Sequence, residues 1–274
     1  EMCIRDRHQA REYAEAASVY RDLIEAEGPY AALARYRLTL TLRHQLTSRY
    51  GTVSRRPEEA LSEGSEVLPS GAARPIYRVG IAHRRYVESV DALLAIDLAA
   101  EQARAEALAE EAADPHTHER HRLRAEELAQ VAEVMLQSHG VMLFETGEVL
   151  HRHGHLEEAR ERLFAVVDGW PERDFAAHAV QLIMEGLLEQ EDYARVRELR
   201  WLLTIGPSEE PAPAGLVVSA AFKMAQALSE EARLRQRAGD AAGMRDLHLQ
   251  AAEAYLLLIA EHPDEVCLLY TSDA

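Results

Sequence analysis

GVMLFETGEVLHRHGHLEEARERLFAVVDGWP, residues 140–171, contains two apolar segments separated by a short turn centred on a glycine. Apolar residues recur three or four positions apart on both sides of Gly154, which is the spacing of one face of a helix. Gly154 can form the turn because glycine has no Cβ and readily takes left-handed backbone conformations. Pro171 ends the second segment, since proline cannot continue a helix. The stretch therefore predicts two antiparallel helices that share an apolar seam.

Small residues stand where these two helices are expected to cross. Gly147 lets the helices approach each other, and Ala159 stands at a close crossing. The larger side chains of Leu163 and Val166 are expected to fill the seam. The second half of the pattern recurs at both ends of the chain, as Ala16-x3-Tyr20-x2-Leu23 and as Ala251-x3-Tyr255-x2-Leu258-x4-Pro263. We interpret this recurrence as an internal repeat of helix pairs.

The spacing of residues 140–171 resembles the tetratricopeptide repeat (TPR), an antiparallel helix pair of about 34 residues. The matching positions are Gly147, Leu150, Gly154, Leu156, Ala159, Leu163, Val166 and Pro171, with Leu143 at the first large apolar position and Thr146 as a departure at the second. The pair that follows Pro171 matches more loosely. The resemblance implies an all-α fold in which antiparallel helix pairs stack as a right-handed, TPR-like superhelix, an α-solenoid.

The resemblance also implies a concave groove lined by the first helix of each pair. Carried onto this sequence, the groove-facing positions are Phe144, Glu148, His151, Arg152, His178, Gln181, Glu185 and Glu189. An exposed Phe144 suits an apolar side chain, and the glutamates favour a basic neighbour. These positions predict a non-catalytic scaffold that binds a basic-hydrophobic peptide or protein. The alternative stays open that Phe144 packs against an adjacent helix and that the glutamates only solubilise the surface.

The end of the last helix pair bears on the compartment. Its sequence AEAYLLLIAEHP, residues 252–263, resembles the envelope-associated members of the family in Gram-negative bacteria, which implies a role in cell-envelope assembly. Lys223 is the only lysine and asparagine is absent; because both have A-rich codons, we infer a GC-rich bacterial genome. The periplasm or cell envelope and the cytoplasm both stay open as compartments.

The charge of the chain argues against two classes of partner. Its 274 residues include 47 acidic and 30 basic side chains, which give a net charge of −17. Nucleic acids and anionic membrane surfaces need clustered cations, so we expect neither as a partner. No run of about 18 apolar residues is present, so we expect no transmembrane segment in this sequence.

Motifs that carry chemistry are sparse. We find no glycine-rich phosphate loop and no nucleophile elbow, and we expect no catalytic residue and no cofactor. His116, His118 and His121 are weak candidates for a metal site, because His118 and His121 stand three residues apart and can share a helix face, as zinc requires. The other interpretation is that these are polar residues of a loop and a helix end. Two alternative functions therefore stay open: a histidine-dependent metal-binding helical protein, and a helical regulatory fragment of a larger enzyme.

Breaks in the helical periodicity divide the chain into segments. We predict an N-terminal helix pair over 8–49 and a loop or weakly ordered insertion over 50–75, where glycine and proline interrupt any long period. An irregular helical segment is expected over 76–136, with a long helix at 118–153 interrupted near Ser138-His139-Gly140. The remaining segments are TPR-like repeats over 137–207, a linker over 208–215 and a C-terminal helix pair over 216–266.

The two ends of the sequence have a different character. EMCIRDR, residues 1–7, and CLLYTSDA, residues 267–274, resemble translations of the transposon ends that are used to fragment DNA for sequencing. We therefore expect both to be artefacts. Both cysteines, Cys3 and Cys267, lie in these ends, so no cysteine-based site is expected in the remainder.

Overall fold

The computed structural model describes residues 2–26, 30–199 and 214–262, with side chains from residue 12 onward. These ranges are mostly helical, which confirms the predicted helical class. They contain one two-stranded sheet, formed by β1 (Ser62–Val67) and β2 (Ala73–Tyr77). The helices are α1 (Met2–Glu25), α2 (Ala31–Tyr50), α3 (Ile81–Leu94), α4 (Leu98–Glu111), α5 (Pro115–Arg152), α6 (Leu156–Gly169), α7 (Asp174–Glu189), α8 (Tyr193–Glu198), α9 (Ala214–Arg237) and α10 (Ala241–Glu261).

The chain divides into two compact units. Unit 1 comprises Glu1–Ala60 and Val79–Val149. Unit 2 comprises Leu61–Arg78 and Leu150–Ala274. The boundary at Val149 falls inside α5, so the last turn of that helix belongs to unit 2.

Unit 1 is built around α2, which packs against both α1 and α3. Leu46 of α2 and Val90 of α3 are buried in its core. Thr39 is also fully buried; its hydroxyl lies 2.6 Å from the Ser89 hydroxyl and donates to the Arg35 carbonyl at 2.9 Å. The buried hydroxyl of Thr39 is thereby satisfied, as a polar group inside a core must be.

A polar network fixes three helices of unit 1. Arg43 Nε lies 2.9 Å from each carboxylate oxygen of Glu145, and the Tyr86 hydroxyl donates to Glu145 Oε2 at 2.6 Å. Burial, followed by the nearby carboxylate of Glu145, raises the pKa of Tyr86, so its hydroxyl stays a donor. The hydrogen bond with Glu145 raises the pKa of Arg43. This network joins α2, α3 and the part of α5 that belongs to unit 1.

Unit 2 is a series of packed helices in which α6 contacts α7, α7 contacts α9, and α9 contacts α10. Its fully buried side chains include Leu163 of α6, Leu187 of α7 and Leu216 of α9. Several alanines lie at the crossings, where a small side chain allows two helices to approach closely. These are Ala159, Ala176, Ala179, Ala220, Ala225 and Ala227.

The predicted loop over 50–75 is wrong for part of its length, because an antiparallel hairpin forms there. Val67 pairs with Ala73 and Glu66 with Arg74, and the register shifts between Ser62 and Gly64. The strand SEGSEV is almost entirely exposed and has no apolar alternation, so its sequence gives no strand signal. Contacts with distant residues of unit 2, described below, stabilise the hairpin instead.

The predicted interruption near residues 138–140 is also wrong, since α5 runs without a break from Pro115 to Arg152. The Ser138 hydroxyl donates to the Val134 carbonyl at 2.6 Å, so the polar side chain is accommodated within the helix. A single glycine inside a helix costs only about 1 kcal/mol. That cost is too small to end a helix whose other residues pack.

Several predicted boundaries shift or lie outside the described residues. The helix predicted from residue 76 begins at Ile81, because residues 76 and 77 belong to β2. Of the predicted linker over 208–215, residues 208–213 lie outside the described part and Ala214 begins α9. Residues 2–7 begin α1, whereas residues 267–274 lie outside the described part. Pro263, which completes the pattern at the end of the last helix pair, lies outside it as well.

Candidate functional site

The same turn follows three helices, α5, α7 and α9, and all three turns lie in unit 2. The residues that form these turns have positive φ angles and are Gly154 (82°), Glu191 (57°) and Gly239 (79°). In the first turn, Gly154 N donates to the His151 carbonyl at 2.8 Å, and His155 N donates to the Leu150 carbonyl at 3.0 Å. The equivalent two bonds recur at the other two turns. This pair of bonds is the Schellman C-cap, in which a left-handed residue satisfies the last carbonyl groups of a helix.

The three turns are not evenly spaced along the chain. They stand 37 and 48 residues apart, which is longer than the repeat of about 34 residues that the sequence resembles. Ala159 follows its turn glycine by 5 residues, whereas Ala251 follows its own by 12. The difference of seven residues is about two helical turns and keeps both alanines on the seam. They are 1% and 3% exposed.

The three α6 residues that the sequence assigns to the seam of its helix pair are buried. Ala159, Leu163 and Val166 of α6 are all buried, and α6 packs against α7. Trp170 caps the C-terminus of α6 through a backbone bond to Val166, directly before the predicted helix end at Pro171. The predicted helix that buries these three side chains and ends before Pro171 is therefore confirmed.

The hairpin packs onto the first two of these turns. A Cβ added to Gly154 would lie 3.0 Å from Arg74 Nη1 and 3.1 Å from the Pro75 carbonyl oxygen. Tyr77 N donates to the His153 carbonyl at 2.8 Å, and Ser70 N donates to Glu191 Oε2 at 2.7 Å. Gly154 is thus required both for its backbone conformation and for the close approach of β2.

Arg74 is the central side chain of this contact. Its guanidinium donates to Glu66 Oε2 and, at 3.1 Å, to the Gly154 carbonyl. Gln190 also donates to Glu66, at 3.1 Å. The hydrogen bond from Arg74, aided by the one from Gln190, lowers the pKa of Glu66 despite its partial burial. The hairpin is therefore held by charge-assisted bonds rather than by an apolar face.

Four of the predicted groove positions lie on α7, and they differ in exposure. His178 and Glu189 are exposed, whereas Gln181 and Glu185 are partly buried. Glu189 lies 3.9 Å from Arg74 Nη1 and retains 51% exposure of its side chain. Its charge is thus close to a cation of the hairpin.

The sequence predicts that Glu185 contacts a partner, but in the structure its carboxylate is bonded within the chain. Lys223 Nζ donates to Glu185 Oε1 at 2.7 Å, and Gln181 Nε2 donates to the same oxygen at 3.0 Å. Burial acts to raise the pKa of Glu185, but the hydrogen bond and charge of Lys223 outweigh it, and the pKa is lowered. The Lys223 side chain is only 11% exposed. This ion pair joins α7 to α9 and neutralises the carboxylate internally.

The two predicted groove positions at the end of α5, His151 and Arg152, also differ in exposure. His151 is partly buried against α7, where its Nε2 would lie 3.5 Å from a Cβ added at Gly186. Arg152 is exposed. The structure therefore brings His151, Gln181 and Glu185 into one region of unit 2, around Lys223.

The other two groove positions belong to unit 1. Phe144 and Glu148 lie on the part of α5 before Val149, and both are partly buried. Thr146, the departure from the TPR pattern, is fully buried between them and donates to the Met142 carbonyl at 3.0 Å. Its polar side chain is tolerated at an apolar position because the helix backbone satisfies it.

The histidine cluster at the start of α5 has a structural contact. His118 Nδ1 donates to the Ala109 carbonyl at 2.8 Å, near the end of α4. His116 is exposed and His121 is partly buried. No group of three or more potential metal-binding side chains is found among the residues that the structure describes.

Sequence reasoning missed the roles of Lys223 and Arg160. Lys223 carried a signal, because it is a single lysine in an arginine-rich chain and lies in the apolar run AAFKMAQA. The side chain of Arg160 is only 13% exposed, although its position in a charged run of α6 gives no sign of burial. It forms an ion pair with Glu157 and donates to Gln190 at 3.4 Å.

Across residues 2–26, 30–199 and 214–262, no helix has both the length and the apolar character needed to span a membrane. A comparison of the chain with protein-family models, with curated proteins and with solved structures finds no match in any of the three.

Proposed function

We propose that this protein is a non-catalytic interaction scaffold built from TPR-like helix pairs, which binds a peptide or protein segment on a concave face of a right-handed superhelix. The observation that carries the proposal is the recurrence of one turn at Gly154, Glu191 and Gly239. A repeated helix pair with a repeated cap is the building block of helical repeat proteins. The resemblance of residues 252–263 extends the proposal to cell-envelope assembly.

The exposed side of α7 is the part of the surface that we assign to the partner. His178 and Glu189 are exposed there, while the opposite side of α7 is buried through Ala179, Ile183 and Leu187. Glu185 stabilises this surface indirectly, because its ion pair with Lys223 holds α7 in contact with α9. The proposed contact face is thus held by rigid elements of unit 2.

The charge of the chain supports a basic-hydrophobic partner. Glu185 and Glu189 have cations close by, so they contribute less negative potential than their number suggests. The net charge of −17 over the whole chain still attracts a basic segment at long range. Binding is therefore expected to weaken with salt, mainly through a slower association rate.

Selection of peptides from a random phage-displayed library on the immobilised full chain tests the proposal. We expect enrichment of peptides that combine Lys or Arg with large apolar residues. The affinity of synthetic copies is then measured by fluorescence anisotropy for the wild type and for a His178→Ala/Glu189→Ala variant, in which we expect a several-fold loss.

The matched control is Glu158→Ala/Glu161→Ala, which changes two exposed charges on α6. It should leave the affinity unchanged. Failure to enrich any peptide family, or equal losses in both variants, would contradict the assignment of the contact face. Glu185→Ala is unsuitable for this test because it would leave Lys223 largely buried without its carboxylate.

A further inference from the structure

A cleft in unit 1 lies apart from the positions assigned to the peptide partner. It has a volume of about 380 Å³ and is open to solvent. Its floor is α2, and its walls are α1 and α3. The lining residues are Ala14, Ala17 and Arg21 of α1, Leu38, Leu42 and Gln45 of α2, and Arg85, Glu88 and Ser89 of α3.

The cleft exists because small side chains of α1 face larger ones of α2. Ala14 and Ala17 leave space above Leu38 and Leu42, which form an apolar floor. A volume of 380 Å³ corresponds to about a dozen water molecules at roughly 30 Å³ each. It falls in the range of small-molecule pockets, which are mostly apolar with a few polar groups.

Two guanidinium groups stand at the walls of this cleft. Arg21 lies on α1 and Arg85 on α3, and Glu88 is the one carboxylate of the lining. Arg21 Nε donates to the Ala17 carbonyl of its own helix at 2.9 Å. Neither arginine forms an ion pair within the part of the chain that the structure describes. The lining thus carries one excess positive charge in a chain whose net charge is −17.

This combination of groups complements one kind of ligand. A guanidinium binds a carboxylate through two parallel hydrogen bonds, and its planar fork makes that contact specific. A single carboxylate also matches the single excess positive charge. The hydroxyl of Ser89 is already hydrogen-bonded to that of Thr39, so the two arginines are the groups of the lining that complement an anion.

We propose that this cleft binds an aliphatic carboxylate. The carboxylate contacts Arg21 and Arg85, and the alkyl chain lies over Leu38 and Leu42. The proposal is independent of the peptide-binding function, because it uses residues of α1, α2 and α3 alone.

Isothermal titration calorimetry of the full chain with sodium decanoate, below its micelle concentration, tests the proposal. We expect saturable binding at one site that weakens as salt is raised. Arg21→Gln/Arg85→Gln should weaken binding roughly tenfold or more, since hydrogen bonds to charged groups are the stronger ones. Glu88→Gln should strengthen binding, because it removes the one carboxylate that repels the ligand.

Matched controls separate the cleft from the general surface. Arg84 is exposed, neighbours Arg85 and does not line the cleft, so Arg84→Gln should stay within about twofold of the wild type. Ala14→Phe should block the alkyl chain, whereas Ser18→Phe, at an exposed position outside the lining, should not. Circular dichroism checks that each variant remains helical.

Three outcomes would overturn the proposal. The first is the absence of saturable heat with decanoate. The second is wild-type affinity in both Arg21→Gln/Arg85→Gln and Ala14→Phe. The third is tighter binding of decanol, which lacks the charge, or of acetyl-Leu-Leu, which would identify the ligand as a peptide end instead.

Discussion

At the residue scale, Lys223 and Glu185 form an ion pair that joins α7 to α9 in unit 2. Their side chains are 11% and 32% exposed, so the charge of either one is poorly solvated when the other is removed. We expect Lys223→Met to lower the free energy of unfolding by about 1–3 kcal/mol, measured by urea denaturation. The double variant Glu185→Gln/Lys223→Met should regain most of that loss, because no buried charge then lacks its partner. A double variant as unstable as the single one would show that packing, rather than charge, dominates.

The same ion pair predicts a dependence on pH. Folding lowers the pKa of Glu185. The stability that its ionised carboxylate contributes is therefore fully present above the ordinary glutamate pKa of about 4.3, and it is lost as the pH falls through the lowered pKa. The difference in stability between wild type and Lys223→Met should therefore shrink as the pH falls from neutral, because the buried carboxylate of the variant takes up its proton above about 4.3 and that of the wild type only below it. Urea midpoints of both proteins between neutral and acidic pH measure this difference. A difference that stays constant would exclude the linkage.

Gly154 and Gly239 provide a matched pair of turn glycines. Both have positive φ, so alanine at either position costs about 1–2 kcal/mol for the left-handed conformation. At Gly239 nothing lies within 4 Å of the added Cβ, whereas at Gly154 it would meet the hairpin at 3.0–3.1 Å. We expect Gly154→Ala to destabilise the protein more than Gly239→Ala in thermal denaturation. Equal losses of stability would mean that the hairpin moves to make room for the added Cβ without cost.

At the scale of single elements, the seam of α6 gives a direct test of packing. Ala159 is 1% exposed, so Ala159→Leu should overpack the seam and cost about 1–3 kcal/mol. Glu158→Leu is the matched control, because Glu158 is exposed on the same helix. Arg160→Leu would not serve as a control, since Arg160 is largely buried and bonded. Chemical denaturation of both variants should show a loss at Ala159 only.

The helices could be predicted from the sequence, whereas the hairpin could not. Helical periodicity and a good C-cap are local signals, and they locate α6 from Leu156 to Gly169. The hairpin depends on Arg74, whose partners include Glu66 on the neighbouring strand and the distant carbonyl of Gly154. No local pattern encodes a contact across that distance. The same reason explains why Glu185 was assigned to a partner: its cation, Lys223, is 38 residues away.

At the scale of the whole molecule, the two units are interleaved in sequence. The hairpin segment Leu61–Arg78 belongs to unit 2 but lies between the two parts of unit 1. A fragment that begins at residue 61 retains all of unit 2 and loses α1 and α2. We expect its α6, α7, α9 and α10 to keep slow amide hydrogen exchange, while α3 loses protection because its packing partner α2 is missing. Uniform loss of protection in both units would show that unit 2 depends on unit 1.

The position of the hairpin also imposes an order on folding during synthesis. Arg74 leaves the ribosome long before Gln190, which completes the contact through Glu66. At roughly 5–20 residues per second, the 116 residues from 75 to 190 take on the order of ten seconds to emerge. During that interval β1, β2 and the turn between them have emerged, but the end of α7 that holds them has not. Slower translation of residues 75–190 would lengthen this interval. We expect slower translation to increase aggregation of the nascent chain, because the edges of the two strands stay unprotected for longer.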